Sequence, residues 1–218
     1  MLNFFESFTL AGAVNAPPPP FFVAAVLLAA GRSRRMGRPK MLLPWGHTTV
    51  LGHLIAQWQA LGVQQLAVVC ASDDSAITAE LDRLGFPVEN RVFNPAPDRG
   101  MFSSIQCAAG WPGWRPGLTH WTLVLGDQPH LRSETLRALL DFSAAHPQAV
   151  CQPAHNGHPR HPAVLPQAVF RQLSNSTAPD LKAFLKPLTP ATCELPDAGL
   201  ELDLDCPEDY ERALRLDG

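Results

Sequence analysis

Residues 23–30, VAAVLLAA, are an uninterrupted apolar run that breaks into a loop bounded by Gly31 and Gly37 and carrying Arg32, Arg34, Arg35, Arg38 and Lys40. A strand with one wet face would alternate apolar and polar residues. A run without alternation suits a strand buried on both faces, as in a parallel sheet covered by helices. Such a sheet delivers the following loop to its carboxyl edge, where open α/β sheets bind ligands. At that edge a glycine lets backbone N–H groups approach an anion with no Cβ in the way, and guanidinium and ammonium groups neutralise it. The pattern therefore predicts an anion cradle of the kind a polyphosphate needs. A solvated basic turn after an edge strand is the competing reading of the same cations. Neither common phosphate fingerprint is present: GxxxxGK[ST] is absent, and Gly31 and Gly37 are too far apart for GxGxxG.

The rest of the chain alternates strand-like and helix-like segments. Strands are expected at 23–30, 65–71, 88–93, 120–125, 148–153, 163–165 and 191–195, with a further candidate at 200–204. Helices are expected at 48–61, 74–84, 101–110, 132–145, 166–173, 180–186 and 207–215. This alternation predicts a three-layer α/β/α sandwich on a mainly parallel, Rossmann-like sheet. The length of 218 residues suits one domain, expected over 21–218. Residues 1–20 carry no Lys or Arg and end in Pro17 to Pro20, so they are read as a poorly ordered extension, with Phe4, Phe5 and Phe8 packing onto the body.

A net charge of −3 gives no global attraction to nucleic acid or an anionic membrane, so any polyanion must be bound locally. No stretch of eighteen consecutive apolar residues suggests a membrane span. The five cysteines, at 70, 107, 151, 193 and 206, include no CxxC pair. Their odd number and wide spacing fit neither a disulfide framework nor a zinc site, and a reducing cytoplasm is the expected setting.

Four further segments carry chemistry. Leu123-Val124-Leu125-Gly126-Asp127 puts a carboxylate at the carboxyl tip of a strand, where it can hold a divalent ion against phosphates or simply shape a turn. In Leu202 to Tyr210, Asp205 is placed as an N-cap before Pro207 and Glu208, and Asp203 alternates with it on one strand face. Asn94 to Ile105 follows a strand and opens a helix, so Ser103 and Ser104 are candidates to satisfy first-turn donors. His155, His158 and His161 recur at intervals of three, but Pro159 disfavours a continuous helix and no cysteine or carboxylate lies near enough in sequence to complete a zinc site.

The first motif resembles the LAAGxSxRMGxxK signature of nucleotidyltransferases with the nucleotide-diphospho-sugar transferase fold, matched by Leu28-Ala29-Ala30-Gly31, Ser33, Arg35-Met36-Gly37 and Lys40. Ala-Ala-Gly followed by Arg38-Pro39-Lys40 is most similar to the molybdenum cofactor cytidylyltransferase branch, as is Asp127-Gln128-Pro129. Related guanylyltransferases usually show Ala-Gly-Gly and an acidic residue before the lysine. The resemblance implies a catalytic set of Arg35, Lys40 and Asp127. It implies nucleotide contacts from Leu28, Ala29, Ala30, Gly31, Arg32, Ser33, Lys40, Asn94, Gly100 and Ser104. It places Mg²⁺ on Asp127 and Asp205, with Asp203 as the substitute for the latter. On the acceptor side it implies His161, Arg160 and Gln128. Gly157-His158-Pro159 is a competing match to the family's Gly-His-Pro segment. Ser176 to Lys182 keeps neither the glycines nor the arginine of the family's next loop, leaving Lys182 as the replacement cation.

The implied reaction is transfer of CMP from CTP to the terminal phosphate of a molybdopterin cofactor, with release of pyrophosphate and onward delivery to a client molybdoenzyme. An acceptor phosphate is largely ionised at pH 7, its second pKa being about 6, so no general base is required. Charge neutralisation and in-line positioning suffice. The alternatives are guanylyl transfer to the same acceptor, nucleotidyl transfer to a sugar phosphate and, from another class, a non-catalytic carrier that hands the cofactor to its client. Retention of both carboxylates and Lys40 speaks against the carrier.

Overall fold

The structure, a computed structural model, describes residues 20–33 and 36–217. All but the last residue of the expected 1–20 extension, and Arg34 and Arg35, lie outside the described residues. The chain runs β1 (Val23–Leu28), a small hairpin of β2 (Pro44–Trp45) and β3 (Thr48–Thr49), α1 (Val50–Ala60), β4 (Gln65–Ala71), α2 (Ser75–Arg83), β5 (Arg91–Asn94) and α3 (Met101–Ala109). It continues through β6 (His120–Leu125), α4 (Ser133–Ala145), β7 (Cys151–His155), β8 (His158–Pro159), β9 (Ala163–Pro166), α5 (Gln167–Leu173), α6 (Leu181–Leu185), β10 (Ala191–Glu194) and α7 (Pro207–Asp217).

Every residue of β1 is buried, because the strand feeds two cores. Val23, Ala25 and Leu27 pack with α1, α2, α4 and α7 on one face. Ala24, Val26 and Leu28 pack with α3, α5 and α6 on the other. The three-layer α/β/α arrangement expected from the sequence is thus the observed one. The sheet order is β10-β7-β9-β6-β1-β4-β5, with β8 pairing β7. β1 is parallel to both β4 and β6, β4 to β5, and β7 to β10.

Strand β9 runs antiparallel to both β6 and β7. Its first residue, Ala163, pairs with Leu123 near the carboxyl end of β6. Residues just before β9 therefore stand at the same edge of the sheet as the residues just after β6. This reversal brings the 155–162 segment to the ligand edge.

Helix starts follow local chemistry. Thr49 accepts from the Gly52 N–H at 3.1 Å, Asp74 from Ile77 at 3.1 Å and Asp180 from Ala183 at 2.7 Å, each satisfying a donor the helix leaves unpaired. Three expectations shift. The 88–93 strand is a 3-10 turn at Val88–Asn90 followed by β5. The 148–153 strand starts three residues later, at Cys151. The strand proposed at 200–204 does not form: Ala198–Glu201 is a 3-10 turn capped by Asp197, and Leu204 then gives its N–H to the Asp127 carbonyl at 3.0 Å. The alternation of Leu202 and Leu204 that suggested a strand is real burial, but it is anchored on a loop. No described helix is long and apolar enough to cross a membrane.

His120 opens β6 with its ring buried, facing Thr119 Oγ1 at 2.8 Å and the Pro147 carbonyl at 3.0 Å. Burial lowers its pKa below 6.5, against the opposing pull of the Pro147 carbonyl. The unfolded chain then takes up a proton more readily than the folded one, so the histidine's contribution is intact above about pH 6.5 and is lost as pH falls through the lowered folded value. Thermal melts between pH 7.5 and 5 should show the midpoint falling with acid in the parent. The His120→Gln protein should show a flatter dependence over that window.

Candidate active site

A cleft of about 370 Å³ opens beyond the carboxyl ends of β1 and β6. Leu28, Ala29, Ala30, Gly31, Arg32, Ser33 and Lys40 line one wall, Gly100 and Ser104 another, and Gly126 with Asp127 a third. Most of the residues assigned to the nucleotide from sequence therefore share one wall system. Asn94 does not. Its side chain is buried, donating to Ser103 Oγ at 2.8 Å and Ser104 Oγ at 2.9 Å and accepting from the Ala96 N–H at 2.8 Å. Buried and engaged by these partners, the Asn94 amide does not line the cleft; it holds the end of β5 to the first turn of α3.

The basic loop is closed by Ser33, which adopts a left-handed φ of 48° and accepts the Lys40 N–H on its hydroxyl at 3.0 Å. A Cβ on Gly31 would meet nothing within 4 Å, so its α-carbon faces open cleft. At Gly126 the reason for glycine is different. A Cβ there would stand 2.8 Å from the Leu28 carbonyl and 2.5 Å from Met41 Sδ, so only glycine lets the tip of β6 pass the end of β1.

That close passage brings Lys40 Nζ to 2.8 Å from Asp127 Oδ2, with the two side chains 16% and 20% exposed. The other oxygen, Asp127 Oδ1, is buried and has no hydrogen-bond partner among the described residues. Leu204 N–H on the Asp127 carbonyl lays the closing segment alongside, bringing in Asp203 and Asp205. Asp203 is exposed as a residue, yet partial desolvation of its carboxyl and repulsion from Asp127 push its pKa up, with Asp205 adding to the rise. A hydrogen bond from Gln128 Nε2 to Asp203 Oδ1 at 3.0 Å and the Lys40 charge pull the other way. Three carboxylates thus sense one another around Lys40. Gln128, expected on the acceptor side, is buried against Asp203 instead, because its amide needs an acceptor once out of water. The residue directly before α7 is Cys206, one place beyond the expected cap Asp205, and Asp209 reaches back to its N–H at 3.2 Å and to its thiol at 3.0 Å.

His161 ends the segment leading into β9. Burial lowers its pKa, while the negative charge of Asp127 opposes the shift, so the ring and the carboxylate are electrostatic neighbours. His161 also lines a second, larger cleft of about 730 Å³ together with His158, Arg160, Lys182 and Lys186. Both candidate histidines of the Gly-His-Pro comparison, and the replacement cation Lys182, meet there. His155 is spent on the Leu195 carbonyl at 3.0 Å, and among the described residues no group of three or more His, Cys, Asp or Glu could hold a metal alone. Arg35 lies outside the described residues.

Sequence reasoning missed the partners of Arg32. Its guanidinium meets Asp73 at 2.9 Å and Asp98 at 3.7 Å, carboxylates on the loops after β4 and β5. Nothing in their spacing marked them.

The sequence pattern of the MobA-like NTP transferase domain matches residues 25–192. The chain belongs to that family. It is a nucleotidyltransferase, and the sheet and its flanking helices are those of the nucleotide-diphospho-sugar transferase fold. It is 25% identical over 185 residues to the molybdenum cofactor cytidylyltransferase of Escherichia coli K12, covering 84% of this chain and 90% of that protein. Among solved structures, Rv0371c from Mycobacterium tuberculosis H37Rv shares 29% identity with a TM-score of 0.69, over 89% of this chain and 98% of the other. A complex of that mycobacterial protein with manganese superposes with a TM-score of 0.66. A nucleotidyl transferase from Methanothermobacter thermautotroptrophicus, at 22% identity and a TM-score of 0.71 over 89% and 96% of the two chains, shares the fold.

The coupling of the carboxylates gives a direct test. Asp127→Asn removes the main repulsion on Asp203, so the Asp203 pKa should fall toward the ordinary carboxylate value. Carboxyl-carbon NMR titration of parent and variant should show that downward shift. An unmoved Asp203 would mean that the two groups do not face each other.

Proposed function

We propose that the first cleft binds a nucleoside triphosphate with Mg²⁺, CTP ahead of GTP, and that the second cleft presents the terminal phosphate of a molybdopterin-type acceptor to it. An acceptor phosphate oxygen forms the new bond to the α-phosphorus, the bond to the bridging oxygen breaks, and pyrophosphate leaves. The observation carrying this reading is the Lys40 to Asp127 pair at 2.8 Å, standing where the basic loop, the tip of β6 and His161 of the second cleft converge.

The residues suit a magnesium ion. Asp127 Oδ1 is a buried oxygen without a hydrogen-bond partner among the described residues, and the raised pKa of Asp203 reflects the negative charge of Asp127 and Asp205 nearby. Magnesium keeps several waters and takes its remaining ligands from one or two carboxylates and from substrate phosphates, so a complete cage of protein ligands is not expected. Asp127 with Asp205 or Asp203 would hold it, and when bound it would supply neutralisation of the charge on the α-phosphate and the departing pyrophosphate. The manganese complex of the mycobacterial relative supports a divalent ion in this fold.

The protein's own groups do the rest. Lys40 offers a preorganised ammonium to the triphosphate, and the Cβ-free face of Gly31 lets backbone approach phosphate oxygens. Arg32, held at the cleft by Asp73, is placed to turn onto an incoming phosphate. Ala30 narrows the wall where guanylyltransferases usually carry glycine, which supports the smaller cytosine base, as does the likeness to the Escherichia coli cytidylyltransferase. A cytoplasmic setting accords with the free cysteines.

Pyrophosphate release should be followed with each of the four nucleoside triphosphates, with and without molybdopterin cofactor and Mg²⁺. CTP with cofactor should be fastest; GTP at an equal or higher rate would overturn the cytidylyl assignment. Lys40→Ala should slow transfer by one to several powers of ten, since one preorganised donor facing developing charge is worth roughly 2.7–4 kcal/mol in comparable sites. Asp127→Asn should lose magnesium-dependent turnover. Asp209→Asn, which loosens only the start of α7, should retain turnover in its folded fraction.

A further inference from the structure

The second cleft has cations beyond those that one transferred phosphate would occupy. They come from two parts of the chain. Arg160 and His161 lie on the segment entering β9, with the Arg160 guanidinium held by Glu201 at 3.0 Å. Lys182, in the first turn of α6, and Lys186, the residue after its last, stand one helical turn apart and line the cleft from an element that is firmly placed. Leu181 and Leu185 bury its other face, Asp180 caps its start, and the Lys186 N–H closes onto the Lys182 carbonyl.

Among the described residues, no carboxylate pairs with either lysine, while almost every other cation around the two clefts has one. Both lysines are exposed, and like charges at this spacing weaken a helix, so the helix itself gains nothing from the pair. On the same wall, Arg160 Nε and His161 Nδ1 are both buried without a hydrogen-bond partner among the described residues. Pro159 and Pro190 add apolar surface to the lining, and Gln152 adds a buried amide. The volume of about 730 Å³ exceeds what a lone phosphate fills.

We infer that the acceptor of this enzyme carries two anionic groups set apart from each other: the reacting phosphate beside Arg160 and His161, and a second anion held by Lys182 and Lys186. The assignment of the first group rests on the proposed transfer; that of the second rests on the lysines alone. Lys182 and Lys186 are then specificity-determining residues, and Lys182 closes the stretch where this chain departs from the family's glycine and arginine pattern.

Alkanediol monophosphates and the corresponding terminal bisphosphates, in a series of increasing chain length, should be titrated into the full-length protein by calorimetry without nucleotide. The best bisphosphate should bind the parent about tenfold or more tightly than its monophosphate, a margin readily resolved in free energy. That preference should vanish in the Lys182→Ala/Lys186→Ala protein and return in Lys182→Arg/Lys186→Arg, which keeps the charge. It should persist in Lys40→Ala, where the first cleft is crippled. Absence of a preference in the parent, its survival in the double alanine protein, or its loss in Lys40→Ala would each overturn the inference. Parallel CTP titrations separate the two readings. A parent that binds no CTP yet prefers bisphosphates sinks the proposed transfer and keeps the second anion site, and the reverse pattern does the opposite.

Discussion

Lys40 and Asp127 lie 87 residues apart in the chain and 2.8 Å apart in the fold. The lysine leaves a loop pinned by Ser33, and the aspartate leaves a strand tip that only glycine at 126 allows so near β1. A partly buried ion pair repays its desolvation only where the geometry is good, and removal of one partner leaves a charge stranded. Here the geometry is set by two neighbouring parallel strands, so the pair inherits the rigidity of the sheet centre. The first cleft, the carboxylates of the closing segment and the electrostatic neighbour His161 all take their positions from this point.

The closing segment is held to that point by a second set of contacts. Asp197 accepts from Thr135 Oγ1 at 2.5 Å and from the Gly199 N–H at 3.0 Å, with Arg132 at 3.5 Å. Burial alone would push its carboxyl up, but these partners outweigh burial and keep its pKa below the usual range. His130 Nε2 meets the Gly199 carbonyl at 2.9 Å. The chain between β10 and α7 is therefore tied down ahead of Leu202 and Leu204, before it reaches Asp127. Tyr210 then fastens the start of α7 to the Pro44 carbonyl in the β2–β3 hairpin.

Much of this was legible in the residues. An apolar run that does not alternate announced β1 and its two cores, and the glycine-bounded cations announced the loop that lines the cleft. The Gly-Asp step at the end of β6 marked the aspartate that the structure sets against Lys40. What escaped was decided by contacts between distant segments. The 202–204 stretch alternates like a strand, yet its backbone donor goes to Asp127, which no local pattern reveals. Asn94 and Gln128 look like ligand-facing amides in sequence because an amide gives no hint of which way it turns; burial against Ser103, Ser104 and Asp203 decides it. Asp73 and Asp98 lack any motif and matter only through their distance to Arg32.

Strand β9 is an antiparallel guest in a sheet whose long strands otherwise run one way, and it arrives with β7, β8 and α6 close about it in the chain. The first cleft is built from β1, β6 and the start of α3, all earlier in sequence. A protein divided in this manner carries its two clefts on separate parts of the chain, joined where β9 pairs with β6. Diversification within such a fold then becomes a matter of replacing one insert, in the manner of a tool holder that accepts different bits.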